Sequence, residues 1–148
     1  MKVRFQKRVY SNTSPLLFIL GIALLVLIFH NSFSQSKPWV APADADNIKN
    51  PLAATTASLA EAKTLYSANC GPCHGDKGKG DGAAASGLNP RPADHTSDVV
   101  QKQSDGAIFW KLSEGRSPMP GYKKIFSEQQ RWELINYIRT LAKVGKKK

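Results

Sequence analysis

The sequence predicts a small all-α domain of three to four helices, preceded by one hydrophobic N-terminal helix. Three observations carry that expectation. Ser58 with Glu61, and Ser127 with Gln130, each have the spacing of a reciprocal capping box at a helix N-terminus. Behind each, apolar residues recur at helical spacing. Between these stretches, Gly and Pro clusters interrupt the chain, and no βαβ pattern occurs.

The 148 residues suffice for one small domain with extensions. The formal net charge of +10 is concentrated at the ends: Lys2, Arg4, Lys7 and Arg8 precede the first apolar run, and Lys146, Lys147 and Lys148 close the chain. A nucleic-acid-binding face needs basic residues clustered on the folded domain with aromatics among them. The terminal placement argues against one.

Residues 1–36 read as a basic leader with an export signal or membrane anchor. Leu16 to Phe29 is a run of fourteen apolar or Gly residues. At ~1.5 Å per residue it reaches roughly 21 Å, short of the ~30 Å hydrocarbon core. Extending it from Pro15 to Phe33 gives a span that just suffices, while Ser32-Phe33-Ser34 has the small-x-small form of a cleavage site. Anchor and cleaved signal therefore both stand. In either case the basic leader stays cytoplasmic and the rest is delivered outside, to the periplasmic side in a bacterium.

Residues 37–53, rich in Pro, Ala, Asp and Asn, read as a tether, with Trp39 either at the membrane interface or packed on the domain. From Ser58 a helix is expected, with Leu59, Ala62, Leu65, Tyr66 and Asn69 on one face. It runs directly into Cys70.

Cys70-Gly71-Pro72-Cys73-His74 contains both cysteines of the chain. This spacing is that of c-type haem attachment, each thiol adding across one vinyl group and the adjacent imidazole becoming the proximal iron ligand. A thioredoxin-like dithiol would need a surrounding βαβ pattern, and structural zinc would need a fourth ligand. The motif thus makes Cys70, Cys73 and His74 the cofactor-binding candidates, with His74 on the metal.

Gly75 to Gly82 holds four glycines without a following Gly-Lys-Ser/Thr, so it reads as a flexible surface turn and not a phosphate loop. Pro90 and Pro92 impose extended backbone, where a free carbonyl is available to the second nitrogen of His74. Ser97–Gln101 reads as a helical turn. Ser104 caps a helix to about Ser113 with Ile108, Phe109 and Leu112 inward and Gly115 as its stop. Trp110 lies off that face, either packing or directing its indole N–H at a haem propionate.

Met119 sits between Pro118 and Pro120, and it is the one methionine besides Met1. A stiff loop holding a thioether after a haem-binding His reads as the second axial ligand; core filling is the plain alternative. His95 offers a minority reading as that ligand, or else is a solvated loop residue. The last helix, from Ser127, carries Leu134, Ile135, Ile138, Leu141 and Ala142 as its apolar stripe, flanked by Trp132 and Tyr137.

Residues from about Ser58 to Val144 closely resemble the class I cytochrome c family. The likeness rests on the helix with Tyr66 before the motif, Cys70-x-x-Cys73-His74-Gly75, the Gly/Lys/Asp loop with Pro90 and Pro92, Gly115 with Met119-Pro120, and the aromatic last helix. It implies a cytochrome c domain over 54–144 with a basic tail at 145–148. The first and last helices would cross, with one covalent haem c between His74 and Met119. One departure is Ala62, where the family usually has Gly at the crossing. A mono-haem electron carrier is the expected function, not an enzyme in itself, although it can serve as the cytochrome subunit of a larger oxidoreductase. A haem enzyme or gas or peroxide sensor with displaceable Met119 is the alternative. Lys111, Arg116, Lys123 and Lys124 would form a basic rim steering toward the acidic docking face of redox partners, membrane complexes in particular.

Overall fold

The computed structural model describes residues 38–144; the apolar N-terminal segment and the Lys tail lie outside the described residues. Among the described residues there is no β-strand, and no helix is long and apolar enough to cross a membrane. The architecture is all-α. In order come a 3₁₀ turn at Ala43–Asn47, then α1 Thr56–Asn69 and the short α2 Gly71–His74. A second 3₁₀ turn at Ala85–Gly87 follows, then α3 Asp98–Gln101, α4 Asp105–Glu114 and α5 Glu128–Val144.

Helix α1 starts before the expected Ser58. Thr55 is the cap: its hydroxyl accepts from the Ser58 N–H at 3.1 Å, and the Ser58 hydroxyl accepts from the Thr55 N–H at 3.0 Å. Ser58 thus takes the Glu side of the box, so the Ser58–Glu61 pairing is displaced by one turn. The other caps lie where the sequence puts them. The Ser104 hydroxyl accepts from Ala107 N–H at 3.0 Å, and Gly115 ends α4 with φ 69°. Ser127 and Gln130 close their reciprocal box at 2.9 and 3.1 Å.

The core forms where α1 and α5 pack together, with α4 against α5. Ala62, Tyr66, Leu134 and Ile135 are fully enclosed, and Trp132, Ile138 and Leu141 nearly so. The Ala62 methyl is therefore accommodated within the crossing. Tyr66 and Tyr137 meet across it, ring centroids 5.2 Å apart. From α5, Arg139 reaches the Asp105 carboxylate at 2.7 Å and donates to the Gln101 and Gln103 carbonyls at 2.9 and 2.6 Å, tying α3 and α4 to the last helix.

The stretch read as a tether is laid along the domain from Trp39 onward. Ala45 is buried, and a Cβ on Gly106 would come within 2.0 Å of its carbonyl oxygen, so only Gly lets the 3₁₀ turn seat on α4. Asp46 accepts from Ser104 at 2.5 Å, and Asn50 donates to Asn136 at 2.9 Å. Trp39 lies under Lys111 and Arg116, whose cationic groups stand 5.8 and 5.1 Å from its ring centroid. Domain packing is thus the role this geometry assigns to Trp39.

Candidate functional site

The Cys-x-x-Cys-His stretch is held by α1 running almost without a break into α2. The Cys70 N–H donates to the Tyr66 carbonyl at 2.8 Å, and the His74 N–H to the Cys70 carbonyl at 2.7 Å. One helical turn therefore separates the first thiol from the imidazole. Cys70 is buried and Cys73 half-buried, and no disulfide joins them.

His74 is buried, and its Nδ1 lies 2.9 Å from the Ala93 carbonyl oxygen. A carbonyl can only accept, so Nδ1 carries the proton and Nε2 keeps its lone pair for a metal. Burial lowers the pKa of this imidazole, against the opposing pull of the Ala93 bond, which favours the neutral, ligating form. The acceptor lies one residue beyond the Pro90–Pro92 stretch in which the sequence places it.

The glycine turn is no loose surface loop. Gly80 N–H donates to the His74 carbonyl at 2.8 Å and Gly82 N–H to the Cys73 carbonyl at 3.1 Å, folding the turn back over the motif. Gly78 and Gly80 have φ 71° and 72°, a region other residues rarely enter. A Cβ at Gly80 would lie 2.5 Å from the Pro92 carbonyl oxygen, directly beside the His74 acceptor.

His95 is neither a solvated loop residue nor placed to be the opposite axial ligand. Its ring stacks on His74 with centroids 4.0 Å apart and planes 18° apart, and its Nδ1 is 2.9 Å from the Tyr66 hydroxyl. Two rings lying face to face cannot approach one iron from opposite sides. Burial, with a smaller contribution from His74, pushes the pKa of His95 down to about 3, while burial raises that of Tyr66. Both groups are therefore neutral, and the phenol and Nδ1 share one hydrogen bond.

Arg116 and Met119 exchange both backbone hydrogen bonds, at 3.0 and 2.8 Å, closing a tight turn around Ser117 and the cis-linked Pro118. Met119 is half-buried against the apolar cluster that contains Tyr66, Cys70, Leu112 and Tyr122. The loop is fastened on its far side too: the Tyr122 and Lys123 N–H groups donate to the Leu112 and Ser113 carbonyls, and the Tyr122 hydroxyl donates to the Asn69 carbonyl at 3.0 Å. Trp110 is half-buried on α4. Of the four rim cations, Lys111 and Arg116 face Trp39 and Lys123 is paired with Glu114 at 3.5 Å. Lys124 is exposed.

A family model for cytochrome c matches residues 59–142. The chain belongs to the cytochrome c family. It is 27% identical over 94 residues to cytochrome c6 of Synechocystis sp., covering 62% of this chain and 72% of that protein. It is also similar to a solved chain of the reducing HAO-like protein complex of Kuenenia stuttgartiensis, with TM-score 0.56 and 27% identity over 79% of this cytochrome. The match spans 56% of that solved chain. The family carries covalent haem c, and this cytochrome has the residues for it: two cysteines in the required spacing, not joined to each other, and a neighbouring imidazole with Nε2 free of any protein hydrogen bond among the described residues. Sequence reasoning missed the work of Tyr66 beyond its aromatic face, and the partnership of His95 with His74. A buried Tyr hydroxyl requires a polar partner, and that requirement was the available signal.

Proposed function

We propose that this cytochrome is a mono-haem electron carrier that passes single electrons between redox partners outside the cytoplasmic membrane, with His74 and Met119 as its axial ligands. The haem supplies a one-electron ferric/ferrous couple. The observation that carries the reading is the Nδ1 bond of His74 to Ala93, which presents Nε2 to a metal from within a haem-attachment motif. Opposite ligation by Met119 is supported by its proline-framed loop, tied to α4 by backbone hydrogen bonds. As a haem ligand, the Met119 thioether would raise the potential and would leave no open position for a substrate. The residues need only hold still, and their hydrogen bonds do that.

The delivery side follows from the basic leader and apolar run at residues 1–36. We assign the N-terminal segment as an anchor on the periplasmic side, a cleaved, soluble form being the alternative that the intact mass of native protein decides. Partners are redox proteins, among them membrane complexes with an acidic face. Likeness to a chain of a multi-protein complex favours a second reading, in which this cytochrome is the electron-transfer subunit of a larger oxidoreductase. Carbon monoxide added to the reduced protein tests the carrier reading. No binding at neutral pH is expected; rapid stoichiometric binding would replace it with an enzyme or sensor.

A further inference from the structure

A hydrogen bond at one nitrogen fixes where an imidazole points but leaves it free to tilt about the line to its acceptor. For His74 that line is the 2.9 Å contact from Nδ1 to the Ala93 carbonyl. The remaining freedom is removed by a second ring lying flat on the first, and that ring is His95, 4.0 Å away and within 18° of parallel. We propose that His95 is a positioning residue for His74, clamped by the Tyr66 hydroxyl so that its ring sets the plane of the haem-ligating imidazole.

His95 is itself held at three points. Its N–H donates to the Gly78 carbonyl at 2.6 Å, its own carbonyl accepts from Gln101 Nε2 at 2.6 Å, and its Nδ1 is bonded to Tyr66 at 2.9 Å. Gln101 also donates to the Ile138 carbonyl at 3.1 Å, so the clamp reaches α5. Space for it depends on glycine at position 78, where a Cβ would fall 3.1 Å from that of His95 and 3.3 Å from the Tyr66 oxygen. An aliphatic side chain at 95 would fill the same volume without enclosing a polar ring, but it would leave the buried Tyr66 hydroxyl without this hydrogen-bond partner. It would also offer His74 no flat face.

This inference rests on His74 being the iron ligand, and its test separates the two ideas. Full-chain holoprotein is prepared as wild type, His95→Leu, His95→Phe and Tyr66→Phe, with one covalent haem per chain verified by intact mass. The ferric state is then examined by proton NMR of the four haem methyl groups and by EPR, both of which respond to the orientation of the axial imidazole. His95→Leu should change the order and spread of the methyl shifts, Tyr66→Phe should move them less in the same direction, and His95→Phe, which keeps a flat ring, should return toward wild type. A methyl pattern and g values in His95→Leu unchanged from wild type would overturn the proposal, because a merely structural filler leaves the ligand plane alone. Should His95→Leu fail to accumulate, Tyr66→Phe decides by the same criterion, since it removes a single oxygen. A wild type without a low-spin histidine signature would overturn the ligation reading and this proposal together.

Discussion

The Nδ1 of His74 lies 2.9 Å from the carbonyl oxygen of Ala93, nineteen residues further along the chain. Two weakly regular segments, a glycine turn and the backbone that follows Pro92, thereby hold the ligand that the motif supplies. Gly80 is where they touch, since a Cβ there would sit 2.5 Å from the Pro92 oxygen at φ 72°. Gly80→Ala is expected to destabilise the protein by at least ~1–2 kcal/mol from the left-handed backbone alone. It should also raise the reduction potential, because an imidazole that loses its Nδ1 acceptor is a poorer donor to ferric iron. Thermal melting and protein-film voltammetry read the two effects separately.

Met119→Ala separates ligand from core filler. As a ligand, its loss should abolish the weak far-red band of the oxidised protein, lower the potential and open the reduced protein to carbon monoxide, while Cys70 and Cys73 still hold the haem. As filler, it should cost about 2–5 kcal/mol at most and leave the spectrum unchanged.

The α1–α5 crossing has room for a methyl and no more, because Ala62 is fully enclosed beside Tyr66. Ala62→Leu is expected to cost about 1–3 kcal/mol through overpacking. Ala62→Gly should lose helix propensity of about 1 kcal/mol and gain no closer crossing that offsets it. Urea unfolding with an unchanged m value would confirm that both act on the native packing.

Trp39 covers part of the basic rim. Removing it with Trp39→Ala should cost about 1 kcal/mol of cation–π contact and free Lys111 and Arg116 from the indole. Electron-transfer rates to an acidic partner should then fall more steeply with ionic strength than in the wild type. Rates flat with salt in both proteins would remove electrostatic steering from the account.

The haem is expected to complete the core. A domain of this size buries little apolar surface by itself, and Cys70→Ala/Cys73→Ala protein should show reduced helix by circular dichroism and no cooperative melt. Native helix content with a sharp transition would contradict this.

The helices, the stop at Gly115 and the haem-attachment motif were legible in sequence because each rests on local chemistry: a cap three residues from its donor, an apolar residue every third or fourth position, two thiols and an imidazole within one turn. Cap geometry was misplaced by one turn at Thr55, since Ser58 can serve either side of a box. What the chain alone could not show were relationships across long separations. Asn50 reaching Asn136, Trp39 meeting Lys111 and Arg116, and Tyr66 clamping His95 against His74 each bring an irregular segment to residues far from it along the chain. A stretch rich in Pro, Ala and Asp looks like a linker until a glycine such as Gly106 opens a seat for it on a distant helix. His95 has one polar ring whose role depends wholly on what packs against it, and only the folded chain brings Tyr66 and His74 within contact of that ring. Local pattern thus determined the elements and the haem-attachment residues, whereas tertiary packing decided how the imidazole is held, because orientation requires contacts from at least two directions and sequence neighbours provide only one.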